Sequence, residues 1–599
     1  MGGGDRRGGL QGGILVDPQR VVRPVEDATL VAMRVVVARP IAGRGAWRHD
    51  PAPLEQVRWN RWVEAGHGAH FAARDRGIRP SSDSDARDTL ARMSHDAPLF
   101  LGIDIGTSGT KCVIIDTRGQ VVADATVEHP VSYPKPGWAE QDPEDWWTST
   151  VAAVKQACAS AAGLAPRVEA IGLSGQMHGL VTLDAQGSVV RPCILWNDSR
   201  SAAICASLHG GEPGLATVLR TTGNRVFPGF QAPKLLWMRE HEPAAFARTA
   251  KALLPKDWMR YRLSGAFMAE PSDSSGTAVF DCARRTWSEE MLAIMRLPRA
   301  LFPDVAESPV HSTRLSDSAA RELGLRAGIG IAGGAGDQAA AAIGSGICAE
   351  GTVSCNIGTS GVVFAASNRW RATPNGELHA FCHAVPDRWH FMGVMLSAGG
   401  SLRWFRDTLA QDAIAEAKSR GVDPYDVLAE RAQRVAIGSD GLVFLPYLTG
   451  ERCPIPDPSI RGGFAGLDVS HGRDHLARAA FEGITAGLAG NVDLMRSLGV
   501  DVREVRLSGG GSKSPFWRAM CAEMFDASVC LLASDASGAF GVALLAAVGA
   551  GAFPSVDAAC AATVHTREAI RPDPTRVRSY AAVKSRAHDA ASRALRVAQ

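Results

Sequence analysis

Residues 99–116 read LFLGIDIGTSGTKCVIID, two short apolar runs separated by a small-residue break. The first run ends at Ile105, the break covers residues 106–110, and the second run begins at Lys111. Apolar runs of this length on either side of a turn rich in Gly, Ser and Thr predict two strands joined in a β-hairpin. The chain is therefore expected to begin its fold with strands.

The sequence Ile-Gly-Thr-Ser-Gly occurs twice, at residues 105–109 and at residues 357–361, a separation of 252 residues. The second copy also lies between apolar runs, at residues 353–356 and 362–365. This separation is about one domain length, so the repeat favours two related α/β domains that face one ligand. Glycine lets the main chain approach a ligand closely, and the hydroxyls add donors, so each hairpin tip is suited to phosphate.

The two copies differ two residues before their first glycine, where Asp104 in the first corresponds to Asn356 in the second. A carboxylate beside a triphosphate is repelled unless a cation lies between them. Asp104 is therefore a candidate ligand of Mg²⁺ or of its bound water. The alternative is an aspartate that accepts hydrogen bonds from turn amides.

A third glycine-rich site, GGAGDQ at residues 333–338, follows an apolar run and precedes a helix-like segment at residues 339–343. Asp337 in this turn is a candidate general base; the alternative is a plain helix-capping residue. The site also fits the G-x-G-x-x-A fingerprint, so a dinucleotide-dependent oxidoreductase is a rival hypothesis. The charge of Asp337 argues against that rival, because it would lie where the pyrophosphate binds.

Composition narrows the class of partner. The 599 residues are 46% hydrophobic, enough for more than one core, and 64 Lys and Arg balance 62 Asp and Glu. Such a balance favours a small-molecule substrate over nucleic acid or an anionic membrane. The 12 cysteines include no Cys-x-x-Cys pair, as in cytoplasmic proteins with reduced thiols. Residues 538–553 are apolar but too short to span a membrane, and they predict a buried helix.

Residues 1–97 are rich in Arg, Gly and Pro and show no sustained period. They predict a disordered extension, or a stretch upstream of a natural start at Met93, with the fold beginning near Pro98. At the other end, residues 505–517, VRLSGGGSKSPFW, predict a strand, a glycine turn and a helix start. Such a turn admits a flat ring against bare backbone.

The chain resembles the FGGY carbohydrate kinases from about residue 99 to near its C-terminus. The resemblance is carried by GGFAGL at residues 462–467 followed by HLARAAFE at residues 475–482, and in part by GFQAPKLLW at residues 229–237. In the last motif Gln231 replaces the usual Thr, Ser or Pro. The resemblance implies two actin- and hexokinase-like (ribonuclease H-like) domains, residues 98–345 and 346–599, with a cleft between them.

Within the family the chain is most similar to the branch that phosphorylates D-xylulose. The shared motifs are SGQMHG (174–179), ILWND (194–198), LPKDW (254–258), FCHA (381–384) and PYLTGER (446–452). This resemblance implies a cytoplasmic enzyme that uses ATP and Mg²⁺, with no nucleic-acid or membrane partner and possible homodimers. Gln338 departs from the Asn of several such members, which keeps ribulose and glycerol open as substrates. A non-catalytic sugar sensor would have lost Asp104 or Asp337, and both are present.

The resemblance also assigns roles to residues of this chain. It implies that Asp337 accepts the proton of the attacking hydroxyl, and that Asp104 supports the metal and the phosphates. The residues implied to contact the sugar are Met177, His178, Asp337 and Gln338, with Trp138 and Arg225 as weaker candidates. Those implied to contact ATP are Gly106, Thr107, Ser108, Lys111, Gly358, Thr359, Gly510, Gly511 and Ser514.

Overall fold

The structure is a computed structural model that describes residues 97–211, 213–533 and 537–598. The expectations for residues 1–96 therefore fall outside the described residues. The rest is a mixed α/β fold with two large sheets, one in each half of the chain.

The N-terminal half is built on a seven-stranded sheet. In spatial order its strands are His311–Arg314, Gly330–Ala332, Val168–Gly175, Leu99–Ile105, Gly109–Ile115 and Val121–Glu128, with Ala335–Gly336 also paired to Val168–Gly175. The first two sequential strands form the predicted hairpin, in which Asp104 pairs with Lys111. The strand Val168–Gly175 runs parallel to Leu99–Ile105 on its other side.

The C-terminal half repeats this arrangement. Its sheet has the order His379–Cys382, Trp389–Met395, Gly361–Ser367, Gly351–Ile357, Val502–Ser508, Ser528–Leu532 and Thr566–Ile570. Here too an antiparallel hairpin carries the Ile-Gly-Thr-Ser-Gly turn, and a parallel strand, Val502–Ser508, lies beside it. The expectation of two related strand, turn and strand units is confirmed.

Helices cover both sheets. Those of the N-terminal half are Pro143–Ala159, Leu164–Arg167, Ala202–Gly210, Leu215–Thr222, Gln231–His241, Pro243–Arg248, Pro255–Ser264, Pro271–Ser274, Glu289–Met295, Asp317–Leu323 and Asp337–Gly344. Those of the C-terminal half are Gly399–Leu409, Gln411–Arg420, Pro424–Gln433, Arg473–Ser497, Pro515–Phe525, Gly538–Gly549, Val556–Thr563 and Pro574–Ala598. Within the described ranges, no helix is both long enough and apolar enough to cross a membrane.

Short elements complete the fold. Two-stranded pairs are Glu140–Gln141 with Cys193–Ile194, Val181–Leu183 with Lys251–Leu253, Met268–Ala269 with Asp304–Val305, Phe280–Asp281 with Thr286–Trp287, and Val443–Leu445 with Gly463–Ala465. Single 3₁₀ turns are Ser275–Thr277, Arg299–Leu301, Ser439–Gly441 and Gly510–Lys513.

The helix Gly538–Gly549 joins the two halves. It is the buried helix predicted for residues 538–553, although it ends four residues earlier. It packs on the N-terminal sheet so closely that a Cβ at Gly102 would lie 1.8 Å from the carbonyl oxygen of Ala539, and one at Gly172 would lie 1.9 Å from that of Val542. Glycine is the residue that permits such backbone contact. As a result, the N-terminus of this helix lies beside Asp104.

Candidate active site

Three parallel strands bring the two candidate carboxylates to one edge of the N-terminal sheet. Asp104 pairs with Ser174 on the central strand, and Ala335 pairs with the same Ser174 from the other side. The chain then passes Gly336 and enters the helix at Asp337. Two residues that are 233 apart in sequence are thereby placed at the same carboxyl edge. In open α/β sheets this edge is where ligands bind.

Asp104 is half-buried, and the desolvation of its carboxyl raises the pKa, although Ser174 and Lys111 beside it act in the opposite direction. Its Oδ1 has no hydrogen-bond partner among the described residues. An unpaired buried carboxylate oxygen fits a cation ligand better than the alternative of an aspartate that caps turn amides. The described residues contain no cluster of three His, Cys, Asp or Glu suited to a metal. A single carboxylate suits Mg²⁺, which keeps several waters and binds substrate phosphates.

Asp337 is the first residue of its helix, and Gly336 takes the N-cap position. Asp337 is therefore not itself the N-cap residue, although its side chain bonds within the first turn. Its Oδ1 accepts a hydrogen bond from the Gln338 amide at 2.7 Å. Burial, and then the charge of Asp104, raise the pKa of Asp337 to about 7. A carboxylate with a pKa near neutrality is suited to accept a proton in catalysis.

The turn that carries Asp337 is fixed by hydrogen bonds from other elements. The Arg260 guanidinium donates to the carbonyls of Ala332 and Gly333 at 2.6 and 2.7 Å. The Gly334 amide donates to the Ser308 carbonyl at 2.9 Å, and the Gly336 amide donates to the Ser272 hydroxyl at 3.1 Å. Each of these bonds limits the freedom of the backbone just before Asp337.

Glu270 connects these supports. Its fully buried carboxylate accepts the hydroxyls of Ser272 at 2.9 Å and Ser308 at 3.0 Å. It also accepts the backbone amides of Ser272 and Asp273, and Lys256 Nζ lies 3.8 Å away. Sequence reasoning missed this network. Its only local signal was the run of polar residues at 270–275, which is also typical of a solvated turn.

Met177 and His178 lie next to the same turn. A Cβ at Gly336 would come within 2.9 Å of Met177 Cγ, so the thioether packs against the residue before Asp337. His178 Nδ1 is 2.9 Å from the Gly276 carbonyl, and its ring stacks on Phe230 at 4.7 Å between centroids. Burial lowers the pKa of His178 to about 3, so the imidazole is neutral. Because Nδ1 must carry the hydrogen that bonds to Gly276, Nε2 is left as an acceptor.

The two weaker sugar candidates make other contacts. The Trp138 ring is covered by the Arg200 guanidinium, 3.7 Å from its centroid, and by Lys135 Nζ at 4.5 Å. Arg225 Nε donates to the Asn375 carbonyl at 2.7 Å. The ring of Trp138 is thus covered by two cations, whereas Arg225 is bonded through only one of its three nitrogens.

The first hairpin tip is held by its neighbours. The Thr107 hydroxyl donates to Gln176 Oε1 at 3.1 Å and accepts from Trp196 Nε1 at 3.0 Å, so its one hydrogen is not available to a phosphate. The Ser108 carbonyl accepts the His129 amide at 3.1 Å, and the Gly106 amide donates to Gly109. The donors left at the described tip include the amides of Thr107 and Ser108 and the exposed Ser108 hydroxyl. Lys111 lies opposite Asp104 on the adjacent strand.

The second hairpin tip borders a cavity of about 350 Å³. All five residues predicted to contact the nucleotide in this half line it: Gly358, Thr359, Gly510, Gly511 and Ser514. Other lining residues come from the helices Gly399–Leu409 and Pro424–Gln433, among them Arg403, Tyr425 and Asp426. These were not predicted, because their place in the wall depends on how distant helices pack.

Comparisons with known proteins agree with this architecture. Residues 99–344 match the N-terminal domain, and residues 353–550 the C-terminal domain, of the FGGY family of carbohydrate kinases. The chain is 41% identical over 426 residues to the xylulose kinase of Escherichia coli, which covers 71% of this chain and 84% of that one. It is 36% identical over 480 residues to the xylulose kinase of Bacillus subtilis, with 80% and 94% covered.

A solved structure is similar over the same region. The crystal structure of xylulose kinase from Rhodospirillum rubrum superposes with a TM-score of 0.78 at 30% identity, over 84% of this chain and 99% of that one. The similarity thus extends across both sheets and the elements that carry the candidate site.

Proposed function

Because the chain belongs to the FGGY family of carbohydrate kinases, we propose that it transfers the γ-phosphoryl group of ATP to the 5-hydroxyl of D-xylulose. The sugar is taken from the similarity to xylulose kinases over most of the chain. The observation that carries the chemistry is the position of the half-buried Asp337 at the edge shared with Asp104, where its pKa is raised to about 7.

Asp337 accepts the proton of the attacking hydroxyl. Transfer of a phosphoryl group needs little covalent chemistry from the protein, so the main tasks are positioning the hydroxyl and stabilising charge. Asp104, with its unpaired Oδ1, would hold Mg²⁺ or its waters. When bound, Mg²⁺ neutralises charge on the phosphates. The amides of Thr107 and Ser108 donate to phosphate oxygens, and Lys111 adds positive charge beside them.

The nucleotide binds in the cavity beside the second hairpin. Gly510 and Gly511 let the flat base approach the backbone, and Gly358 and Thr359 face the phosphates from this half. Closure of the two halves around both substrates would exclude water and limit ATP hydrolysis. The dinucleotide alternative is not favoured, since the turn that fits its fingerprint presents a carboxylate rather than an anion site.

The sugar binds between Asp337 and the Met177-His178 pair. Since His178 Nε2 is an acceptor, a sugar hydroxyl donates to it, while Met177 contacts the carbon face. Gln338 lies next to the base. Its side chain is longer than the Asn of several family members, and this difference affects which sugar is accepted. The cytoplasm is the proposed compartment, because ATP and free thiols occur there together, and the cysteines of the described residues are free. A homodimer stays a prediction.

The test is a coupled ADP-release assay with D-xylulose, D-ribulose, L-ribulose and glycerol. We expect the highest kcat/KM with D-xylulose and an absolute requirement for a sugar. A higher kcat/KM with glycerol or a ribulose would replace the proposed substrate but keep the kinase. Absence of sugar-dependent ADP release with every sugar tested would contradict the proposed function.

A further inference from the structure

An arginine of the C-terminal half, Arg452, lies near the proposed sugar-binding region. Arg452 ends the PYLTGER segment, and its backbone is fixed on both sides: its amide donates to Glu451 Oε1 at 2.7 Å, and the next amide, of Cys453, donates to the Val394 carbonyl at 3.2 Å. The backbone at Arg452 is thereby held next to the strand Trp389–Met395.

The Arg452 guanidinium has no protein acceptor. Among the described residues, no carboxylate or carbonyl accepts a hydrogen bond from it, and the guanidinium lies over the ring of Phe227, 5.1 Å from the centroid. The other arginines near the site are bonded, as Arg260 is to carbonyls and Arg285 to Glu307. A guanidinium has five donors, and those of this half-buried arginine are not used by the described protein groups. They are therefore available to an oxygen ligand.

The position of Arg452 relative to His178 indicates which ligand the guanidinium could bind. Phe227 lies edge-on to Phe230 at 5.8 Å, and Phe230 stacks on His178 at 4.7 Å. Arg452 and His178 thus flank the same group of aromatic rings from the two halves of the chain. His379 of the C-terminal half also contacts Phe227, at 5.2 Å. After burial, the charge of Arg452 is the next cause that lowers the pKa of His379.

The two flanking groups are chemically complementary. His178 offers an acceptor at Nε2, and the hydroxyls are the only groups of a ketose that can donate to it. Arg452 offers only donors, which suit an oxygen that has no hydrogen to give, such as a ketone. We propose that Arg452 binds the carbonyl oxygen of the ketose, at the end of the sugar opposite to the phosphorylated hydroxyl. This inference rests on the proposed function and deepens it.

One consequence is that the sugar connects the halves of the protein. Its hydroxyl bonds to His178 of the N-terminal half and its carbonyl bonds to Arg452 of the C-terminal half. Sugar binding would then favour the closed cleft before ATP reacts. A polyol, which has a hydroxyl in place of the ketone, would gain less from the guanidinium.

The test uses the full chain with Arg452→Gln, and Arg461→Gln as a matched control. Arg461 loses the same charge but bonds only to the carbonyls of Pro458 and Ile460 in its own loop. Affinity is measured by calorimetry without ATP for D-xylulose and for xylitol, and kcat/KM by ADP release. A hydrogen bond to a charged group predicts a loss of about 10- to 100-fold in D-xylulose affinity for Arg452→Gln. For xylitol we expect a smaller loss, and for Arg461→Gln none.

The outcomes separate this inference from the proposed function. If the unmodified chain phosphorylates D-xylulose but Arg452→Gln binds D-xylulose normally, the role of Arg452 is wrong and the kinase stands. Equal losses for D-xylulose and xylitol would contradict recognition of the carbonyl. If the unmodified chain phosphorylates no sugar, the proposed function itself fails. The KM for ATP should stay unchanged in both variants, which a general loss of folding would not allow.

Discussion

Asp104 and Asp337 lie on either side of the strand Val168–Gly175, and Asp104 is the charged neighbour that, after burial, raises the pKa of Asp337 to about 7. The two carboxylates therefore have different tasks. Asp104, unpaired at Oδ1, is suited to a cation, while Asp337 is suited to a proton. A cation bound at Asp104 would lower the pKa of Asp337 and so link metal binding to the state of the base.

Replacing Asp337 with Asn should remove the base and keep the geometry. The amide oxygen of Asn can still accept the Gln338 amide, so the start of the helix is preserved. We expect kcat to fall at least about 100-fold with a smaller change in sugar affinity, measured by ADP release and calorimetry. Near-normal turnover with D-xylulose would show that another group accepts the proton.

The same variant should be more stable than the unmodified protein at pH 8. The folded-state pKa of Asp337, about 7, lies above the ordinary value of 3.8, so the folded protein binds this proton more tightly than the unfolded chain does. Its contribution to stability is thus lost as pH rises from about 4 to about 7. Asn carries no such cost, and Asp337→Asn should gain up to about 4 kcal/mol at pH 8. Thermal unfolding at pH 5 and pH 8 checks this; a lower Tm at pH 8 would contradict it.

Asp104→Asn should weaken the use of Mg²⁺. The neutral amide is a poorer ligand for a hard cation than a carboxylate, so the Mg²⁺ concentration for half-maximal rate should rise and kcat should fall. Sugar affinity without ATP should change little. The measurement is an Mg²⁺ titration at saturating ATP and sugar. An unchanged titration curve with unchanged kcat would show that Asp104 has a structural role and does not bind the metal.

Some features of the fold could be predicted from short stretches of sequence. The two hairpins and the turn before Asp337 are each encoded within a dozen residues, where apolar runs and glycines are informative. The five residues expected at the nucleotide line one cavity, and their contact with a nucleotide stays a prediction. The tip of the first hairpin was only partly foreseen, because the Thr107 hydroxyl is occupied by Gln176 and Trp196.

Other features depend on contacts between distant segments. Ser272 and Gly336 are 64 residues apart, and the packing of Ala539 against Gly102 joins opposite ends of the described chain. The hydrophobic periodicity of a sequence does not indicate which distant residues come into contact. Gln231, at the departure from the family motif, is buried with no hydrogen-bond partner for its amide among the described residues, and nothing in the structure explains it.

The network around Glu270 predicts a positioning role for Ser272. Ser272→Ala would leave the Gly336 amide without its acceptor and loosen the turn that presents Asp337. We expect kcat to fall about tenfold or more, with little change in sugar KM, since small displacements of a catalytic group are costly. Restoring a hydroxyl through Ser272→Thr should recover part of the rate.

The C-terminal half offers a matched control for this experiment. Ser439 donates its buried hydroxyl to Glu482 at 3.1 Å, much as Ser272 does to Glu270, but far from Asp337 in sequence and in a different half. Ser439→Ala should lower Tm by a similar amount and leave kcat unchanged. Equal losses of kcat in the two variants would show that the effect of Ser272 is general destabilisation.

The N-terminal sheet should tolerate no side chain at Gly102, where the helix Gly538–Gly549 crosses it. A Cβ at Gly102 would lie 1.8 Å from the carbonyl oxygen of Ala539, a backbone atom that cannot move without shifting the helix Gly538–Gly549. Gly102→Ala should therefore destabilise the fold by about 1–3 kcal/mol or more, and it should also displace the helix end beside Asp104 and reduce kcat. Gly210→Ala is the control, because a Cβ there meets no atom within 4 Å. Urea unfolding and ADP release on both variants test this, and a Gly102→Ala protein with normal stability and turnover would contradict the packing that places this helix against the site.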